Sequence, residues 1–301
     1  MNSFRITLAF LIIFVLGILL LSPSISLNLQ GKFTASPSPG LSKLYPYPVP
    51  KADFKPAPPV TARSAVVIDA KTGVTLFEKE SSIRHLPAST AKLMTAIVAL
   101  EKCQEEQLVK IGYVEKEPTV MGLETGDVVT VKTLLYGLLM ASGNDAAFAL
   151  SYSCAPTTEL FVAEMNQKAK ELEMHDTHFS NPAGFDSPDE FTTARDLAKL
   201  AKVAIANPLL AKIVKTRQTV LADAYNLKTY YLSNINKLLG EVDGIEGVKT
   251  GQTEGSLEVL VTQTTRDGST IITVVLGSTD RFLDSKQLIE WTFGSHDWIN
   301  P

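Results

Sequence analysis

The longest unbroken apolar stretch comes first. From Ile6 to Leu21 no side chain is charged, with Arg5 ahead of the run and Pro23 behind it. A membrane-spanning helix needs about 20 apolar residues and a signal-peptide core roughly 7–15, so this run falls between the two. Ser24-Ile25-Ser26 is a poor cleavage site, and the stem of Arg5 can snorkel to lengthen the span. Residues 1–26 therefore read as an N-terminal anchor in preference to a removed signal, and either reading places the rest of the chain outside the cytoplasm. Residues 27–61 lose apolar periodicity and gather Pro37, Pro39, Pro46, Pro48, Pro50, Pro56, Pro58 and Pro59. Such a segment reads as an extended, polyproline-like linker of about 3.1 Å per residue.

The patterning of a folded domain, residues 62–301, follows. Ala65–Asp69 reads as a buried strand and Val74–Glu78 as its partner, with Ala70-Lys71-Thr72-Gly73 as the turn. Helical spacing starts at Ser89, after Pro87-Ala88, and runs through Leu93, Met94, Ile97, Val98 and Leu100. A second helical region, Leu134–Met140 and Asp145–Tyr152, is interrupted at Ser142-Gly143-Asn144, and further helices are expected over Phe161–Leu172 and Thr193–Ile205. The end returns to strands, Leu257–Thr264 and Thr270–Gly277, with Arg266-Asp267-Gly268 as the turn, then a helix over Asp284–Phe293. Strands at both ends with helices between predict an α/β (α+β) fold: an antiparallel sheet closed by both chain ends, flanked by helices, with a mostly helical subdomain.

Composition narrows the function classes. With 301 residues, 45% hydrophobic content and a formal net charge of -4, the chain has ample apolar sequence for a core and no basic footprint for nucleic acid. Cys103 and Cys154 have neither zinc-site nor thioredoxin spacing. An exported chain could bridge them, but two buried free thiols are the favoured expectation.

Serine is a poor nucleophile at neutral pH and needs a base in hydrogen-bond reach. In Ser89-Thr90-Ala91-Lys92 the i and i+3 positions share one helix face, which sets the Lys92 amine beside the Ser89 hydroxyl. Free N–H groups at the helix start can stabilise an oxyanion. Lys92 can accept a proton only if its pKa falls, as burial and a neighbouring cation would make it do. Alone, the pattern is more often a helix cap with a solvated lysine. Two further signals outweigh that reading. Ser142-Gly143-Asn144 is a short polar break in an apolar helical region, and Lys249-Thr250-Gly251 stands just ahead of a strand pattern. Serine–x–x–lysine, serine–x–asparagine and lysine–threonine–glycine, in that order, form the set shared by penicillin-binding proteins and class A β-lactamases. A second such tripeptide, Lys71-Thr72-Gly73, precedes Ser89 and reads as turn chemistry only.

At these residues the chain resembles the low-molecular-mass penicillin-binding D-alanyl-D-alanine carboxypeptidases, with a D,D-peptidase/β-lactamase-like fold. The likeness runs from about Arg63 to Phe293. It takes in Pro87–Thr95, Leu134–Leu139, Ser142–Ala147, Phe179–Asp186, Thr193–Ala198 and Val242-Asp243-Gly244 as well as the three motifs. The resemblance implies that Ser89 attacks the carbonyl between two D-alanines while Lys92 takes its proton. It implies that Ser142 and Asn144 relay protons and hold the substrate amide, and that Lys249 sustains the electrostatics. Thr250 and Arg281 would bind the terminal carboxylate, and the N–H groups of Ser89 and Gln252, flanking Gly251, would form the oxyanion hole. The implied partners are a peptidoglycan stem ending in D-Ala-D-Ala, β-lactams as covalent inhibitors, and the membrane through the N-terminal segment. No metal or cofactor and a monomeric state are expected. Arg195-Asp196 reads as structural.

Two departures stand out. Ser256-Leu257 occupies the place of the family's usual alanine–glycine pair, from which a narrower cleft floor is expected. Many relatives continue into a β-rich domain and a C-terminal anchor, so tethering is expected to fall to the N-terminal segment. The alternatives are a D,D-endopeptidase on the same scaffold, a β-lactamase, and a catalytically silent wall-binding module. A β-lactamase is disfavoured because no Glu-x-x-Leu-Asn lies between Asn144 and Lys249.

Overall fold

The computed structural model describes residues 46–115 and 119–299. The anchor expected over residues 1–26 lies outside them, and no helix among the described residues is long and apolar enough to cross a membrane.

In chain order the strands are β1 (Tyr47–Pro50), β2 (Ser64–Asp69), β3 (Thr75–Lys79), β4 (Leu108–Lys110), β5 (Val128–Thr130), β6 (Gln218–Ala222), β7 (Thr229–Ser233), β8 (Ile245–Thr253), β9 (Leu257–Arg266), β10 (Ser269–Ser278) and β11 (His296–Ile299). The helices are α1 (Lys92–Lys102), α2 (Val131–Met140), α3 (Asn144–Cys154), α4 (Thr158–Glu171), α5 (Ala194–Ala206), α6 (Pro208–Lys215) and α7 (Arg281–Ser295). The main sheet has the order β3-β2-β10-β9-β8, antiparallel throughout. As predicted, both ends of the domain build it, and β8 forms one edge.

The sheet is buried on both faces, which is why its strands read as near-continuous apolar runs. Val66, Val259, Val261, Ile272, Val274 and Leu276 point into the larger core with the helical part. Their neighbours Ala65, Val67, Leu260, Ile271 and Val275 point the other way, against Leu288 and Ile289 of α7. Helix α1 runs through the larger core, and every residue from Lys92 to Ala99 is buried. Side-chain caps explain several helix starts: Thr130, Thr157, Thr193, Asn207 and Asp280 each accept a backbone N–H of the first turn.

Four expectations need correction. The linker expected over 27–61 does not extend to Thr61, because from β1 onward the chain packs on the domain. β1 pairs with β11, Pro48 facing Trp298 and Pro50 facing His296, so the alternate residues Tyr47 and Val49 keep their N–H groups. The Phe54 ring then lies edge-on to Trp291 and His296, and Trp291 Nε1 donates to the Lys55 carbonyl at 2.8 Å. Next, the cysteines are bridged: Cys103–Cys154 joins the C-terminal ends of α1 and α3 with Cα atoms 5.5 Å apart. Their 51-residue separation in sequence hid a contact that only tertiary packing creates. Third, Ala88–Ala91 forms a 3-10 turn, and the α-helix begins only at Lys92. Last, Lys249-Thr250-Gly251 lies inside β8, not ahead of a strand.

Candidate active site

Three elements meet at one cavity of about 310 Å³: the 3-10 turn before α1, the start of α3, and the edge strand β8. Seven of the nine predicted residues line it, namely Ser89, Ser142, Asn144, Thr250, Gly251, Gln252 and Arg281. The other two, Lys92 and Lys249, sit directly behind this lining and are 0% and 1% exposed.

Lys92 is one helical turn from Ser89, and its Nζ lies 2.9 Å from Ser89 Oγ. Nζ also donates to Asn144 Oδ1 at 2.8 Å and to the Ala183 carbonyl at 2.7 Å. A neutral amine has two hydrogens and one lone pair. The amide and backbone oxygens can only accept, so they take both hydrogens and leave the lone pair facing the Ser89 hydroxyl. Burial drives the Lys92 pKa down to about 7, against a smaller upward pull from the Asp145 carboxylate. Lys249 Nζ donates to Ser142 Oγ and to its neighbour's carbonyl, Thr250 O, both at 2.9 Å. Burial, then the Lys92 and Arg281 charges, hold Lys249 well below the ordinary lysine range.

The backbone carrying these groups is strained where the chemistry sits. Ala88 and Ser142 have φ of 47° and 60°, left-handed values unusual for residues with a Cβ. Gly251 is required by close approach: a Cβ there would lie 3.0 Å from both the Ser89 nitrogen and the Ala88 Cβ. Any larger residue at this position would require β8 or the Ser89 segment to give by a few tenths of an ångström. Arg281, at the first turn of α7, reaches back to β8, where its guanidinium donates to the Gly251 carbonyl at 3.0 Å and to Gln252 Oε1 at 3.2 Å. Among the described residues Thr250 Oγ1 and Arg281 Nε are buried with no hydrogen-bond partner.

Several contributors escaped sequence reasoning. The Ala183 carbonyl acts through backbone, which no side-chain motif reveals. It is placed by Asn181, whose Oδ1 accepts from the N–H groups of Ala183, Gly184 and Phe185. Buried Glu190 holds the base of that loop through the Ser180 N–H and hydroxyl, and burial pushes its pKa up to about 7. Asp145 accepts from the N–H groups of Met121, Gly122 and Leu123, fastening that segment to the start of α3. Ile235 lines the cavity opposite β8 without any polar signal in sequence. Arg195 and Asp196 keep to structural roles but do not pair with each other: Arg195 binds Glu78 and Ser81, and Asp196 binds Thr177 and Lys199. The expected narrowing of the cleft floor is not found, since neither Ser256 nor Leu257 lines the cavity.

Known proteins resemble this chain in sequence and in fold. The family model of peptidase S11, D-alanyl-D-alanine carboxypeptidase, matches residues 51–280. The D-alanyl-D-alanine carboxypeptidase DacF of Bacillus subtilis is 32% identical over 246 residues, covering 78% of this chain but only 63% of that protein. The crystal structure of the Streptomyces K15 DD-transpeptidase superposes with a TM-score of 0.74 at 31% identity, over 80% of this chain and 100% of that one. The D-alanyl-D-alanine carboxypeptidase of Mycobacterium tuberculosis superposes with a TM-score of 0.76 at 29% identity, over 84% and 97%.

Proposed function

The chain belongs to the peptidase S11 family, and from that premise we propose that it is a serine-type D-alanyl-D-alanine carboxypeptidase that works through an acyl-enzyme on Ser89. The observation that carries this reading is one cavity lined by two serines, Ser89 and Ser142, each with a buried lysine behind it, Lys92 and Lys249. The Lys92 lone pair takes the Ser89 proton as Oγ attacks the carbonyl between the two D-alanines. The developing oxyanion is met by the N–H groups of Ser89 and Gln252, brought together by the close packing at Gly251. Thr250 Oγ1, which has no partner among the described residues, and the cavity-lining Arg281 take the terminal carboxylate of the substrate. Asn144 holds the substrate amide while keeping Lys92 in place, and Ser142 with Lys249 passes a proton to the departing D-alanine. Water then cleaves the ester, and neither step requires a metal or cofactor.

No carboxylate lines the cavity among the described residues, so nothing there activates water as the class A β-lactamase glutamate does. A penicillin adduct on Ser89 is therefore long-lived. The Cys103–Cys154 disulfide fits a domain that works outside the cytoplasm, and residues 1–26 are proposed to tether it to the membrane.

The test is incubation with an uncross-linked pentapeptide stem, with a cross-linked muropeptide, and with a labelled penicillin. Release of D-alanine from the pentapeptide and a stable adduct on Ser89 are expected. Unchanged release by Ser89→Ala would sink the assignment, and cleavage of the cross-linked substrate alone would make the enzyme an endopeptidase.

A further inference from the structure

A second cavity, of about 410 Å³, lies where the β6–β7 hairpin meets the loop leading to β8. The same loop walls both cavities: Ile235 faces the catalytic one, and its neighbours Asn234 and Asn236 line the second. Along the chain, the walls of the two cavities are thus one residue apart in this loop.

Its chemistry is that of an anion site. Arg217 and Lys237 line it, and among the described residues no carboxylate lies within ion-pair distance of either. The Lys237 ammonium stands 5.8 Å from the Phe282 ring centroid. The independent signal is Asn236, which is only 3% exposed. Its Oδ1 accepts the Leu238 N–H at 3.1 Å and so fixes the amide, while its Nδ2 has no partner among the described residues. A buried donor without an acceptor is costly, and Asn236 belongs to the wall of this cavity. Glu241 also lines the cavity, so the formal charge of the lining is +1, two cations against one carboxylate.

We infer that this cavity binds one carboxylate of the substrate's stem peptide, N-terminal to the D-Ala-D-Ala unit, with Arg217 and Asn236 Nδ2 as its donors and Lys237 beside them. A planar carboxylate presents two oxygens, which a guanidinium edge and an amide N–H can share. A lining of +1 balances one such group, whereas a phosphate dianion would leave excess negative charge. The inference rests on the peptidase reading above and adds a specificity subsite to it.

Two acylated stem peptides that differ at one group, a free carboxylate against its carboxamide, supply the test. Titration calorimetry on Ser89→Ala protein reads binding without turnover. The carboxylate peptide is expected to bind about 10-fold more tightly than the carboxamide. Arg217→Gln is expected to bring that ratio to about 1 without loss of fold, because no hydrogen bond or ion pair among the described residues holds the exposed guanidinium, which packs against Gly240. Asn236→Asp keeps the oxygen that accepts the Leu238 N–H but replaces the free donor with a negative oxygen, so it should invert the preference. Equal affinities for the two peptides overturn the inference. So does a ratio that survives Arg217→Gln, or no measurable binding of the carboxylate peptide at millimolar concentration. If Ser89-bearing protein releases D-alanine from neither peptide, the peptidase reading falls, and the binding ratio still decides what the cavity holds.

Discussion

The tripeptide lysine–threonine–glycine occurs twice, at Lys71-Thr72-Gly73 and Lys249-Thr250-Gly251, and the two copies have nothing in common but their letters. The first caps a hairpin in solvent. Lys71 is exposed and donates to the Gly268 carbonyl, and Thr72 donates through both N–H and hydroxyl to Asp69 Oδ1. Gly73 is there for its φ of 77°, and a Cβ would meet nothing within 4 Å. In the second copy the roles reverse. Lys249 is buried against Ser142, Thr250 Oγ1 is left without a partner, and Gly251 is demanded by what a Cβ would strike and not by its backbone angle. A motif carries chemistry only when the fold removes it from water and sets a second motif against it.

The largest effect that separates the copies should come from their lysines. Lys249→Ala removes the buried amine that donates to Ser142, and is expected to lower kcat/KM for D-alanine release by about 10²–10³-fold. Lys71→Ala should stay within about twofold, as surface changes away from a site do. Steady-state kinetics on the two variants checks this, and a comparable loss in both would erase the distinction. The glycines should diverge in kind. Gly251→Ala displaces β8 from Ser89 and is expected to cost about 10²-fold in acylation with little change in Tm. Gly73→Ala forces a left-handed alanine and is expected to cost about 1 kcal/mol of stability with acylation unchanged. Thermal melts and penicillin-acylation rates, measured side by side, separate these outcomes.

The buried lysines also predict a pH dependence that Lys71 cannot produce. Lys92 acts as a base only when neutral, and burial has brought its pKa to about 7. Penicillin acylation should therefore rise with pH through about 7 and level off above it, falling about tenfold per unit below. The linkage has a definite sign. The folded pKa is depressed, so the unfolded chain binds the proton that the folded one has released. The resulting destabilisation is fully present between the folded value's acid side and about 7, and it eases as pH rises toward the ordinary lysine range. An acylation rate that is flat from pH 5.5 to 8.5 would mean that Lys92 is not the titrating base.

How much of this was legible in sequence follows the same division. Elements with a strong period appeared where expected: β2, β3, α1 to α5, β9, β10 and α7 lie within a few residues of their predicted spans. Ser89, Lys92, Ser142, Asn144 and Lys249, which the structure brings together, were legible as candidates because each is a side chain in a short pattern. Four things were not legible, for physical reasons. β1 hides its pairing behind prolines, since the residues that carry the hydrogen bonds alternate with residues that cannot. The β6–β7 hairpin carries apolar side chains on both faces, Val220 and Tyr231 at 55% and 79% accessible while Tyr230 and Leu232 are buried, so apolar and polar positions do not alternate with burial. The Ala183 carbonyl contributes backbone to Lys92, and backbone has no letter. The disulfide depends on α1 and α3 lying side by side, a contact that residues 103 and 154 cannot announce by themselves.

The smallest predicted effect tests the remaining departure from the family, and it returns to the two hairpins that adjoin the two tripeptides. After the first, the positive φ is assigned to Gly73. After the second, it falls on Leu257, whose φ is 55° at the entry to β9, a value that favours glycine. The sequence alone suggested a side chain that narrows the cleft, but Leu257 does not line the cavity, so its consequence is conformational. A left-handed leucine costs about 1–2 kcal/mol, and glycine would remove that while adding about 0.5–1 kcal/mol of unfolded-chain entropy. Leu257→Gly is therefore expected to raise stability by about 0.5 kcal/mol, a Tm increase of about 1–2 °C for a domain of this size. Its kcat should match the parent's within about twofold. A variant with altered kcat and unchanged Tm would return Leu257 to the cleft and make the second hairpin part of the active site.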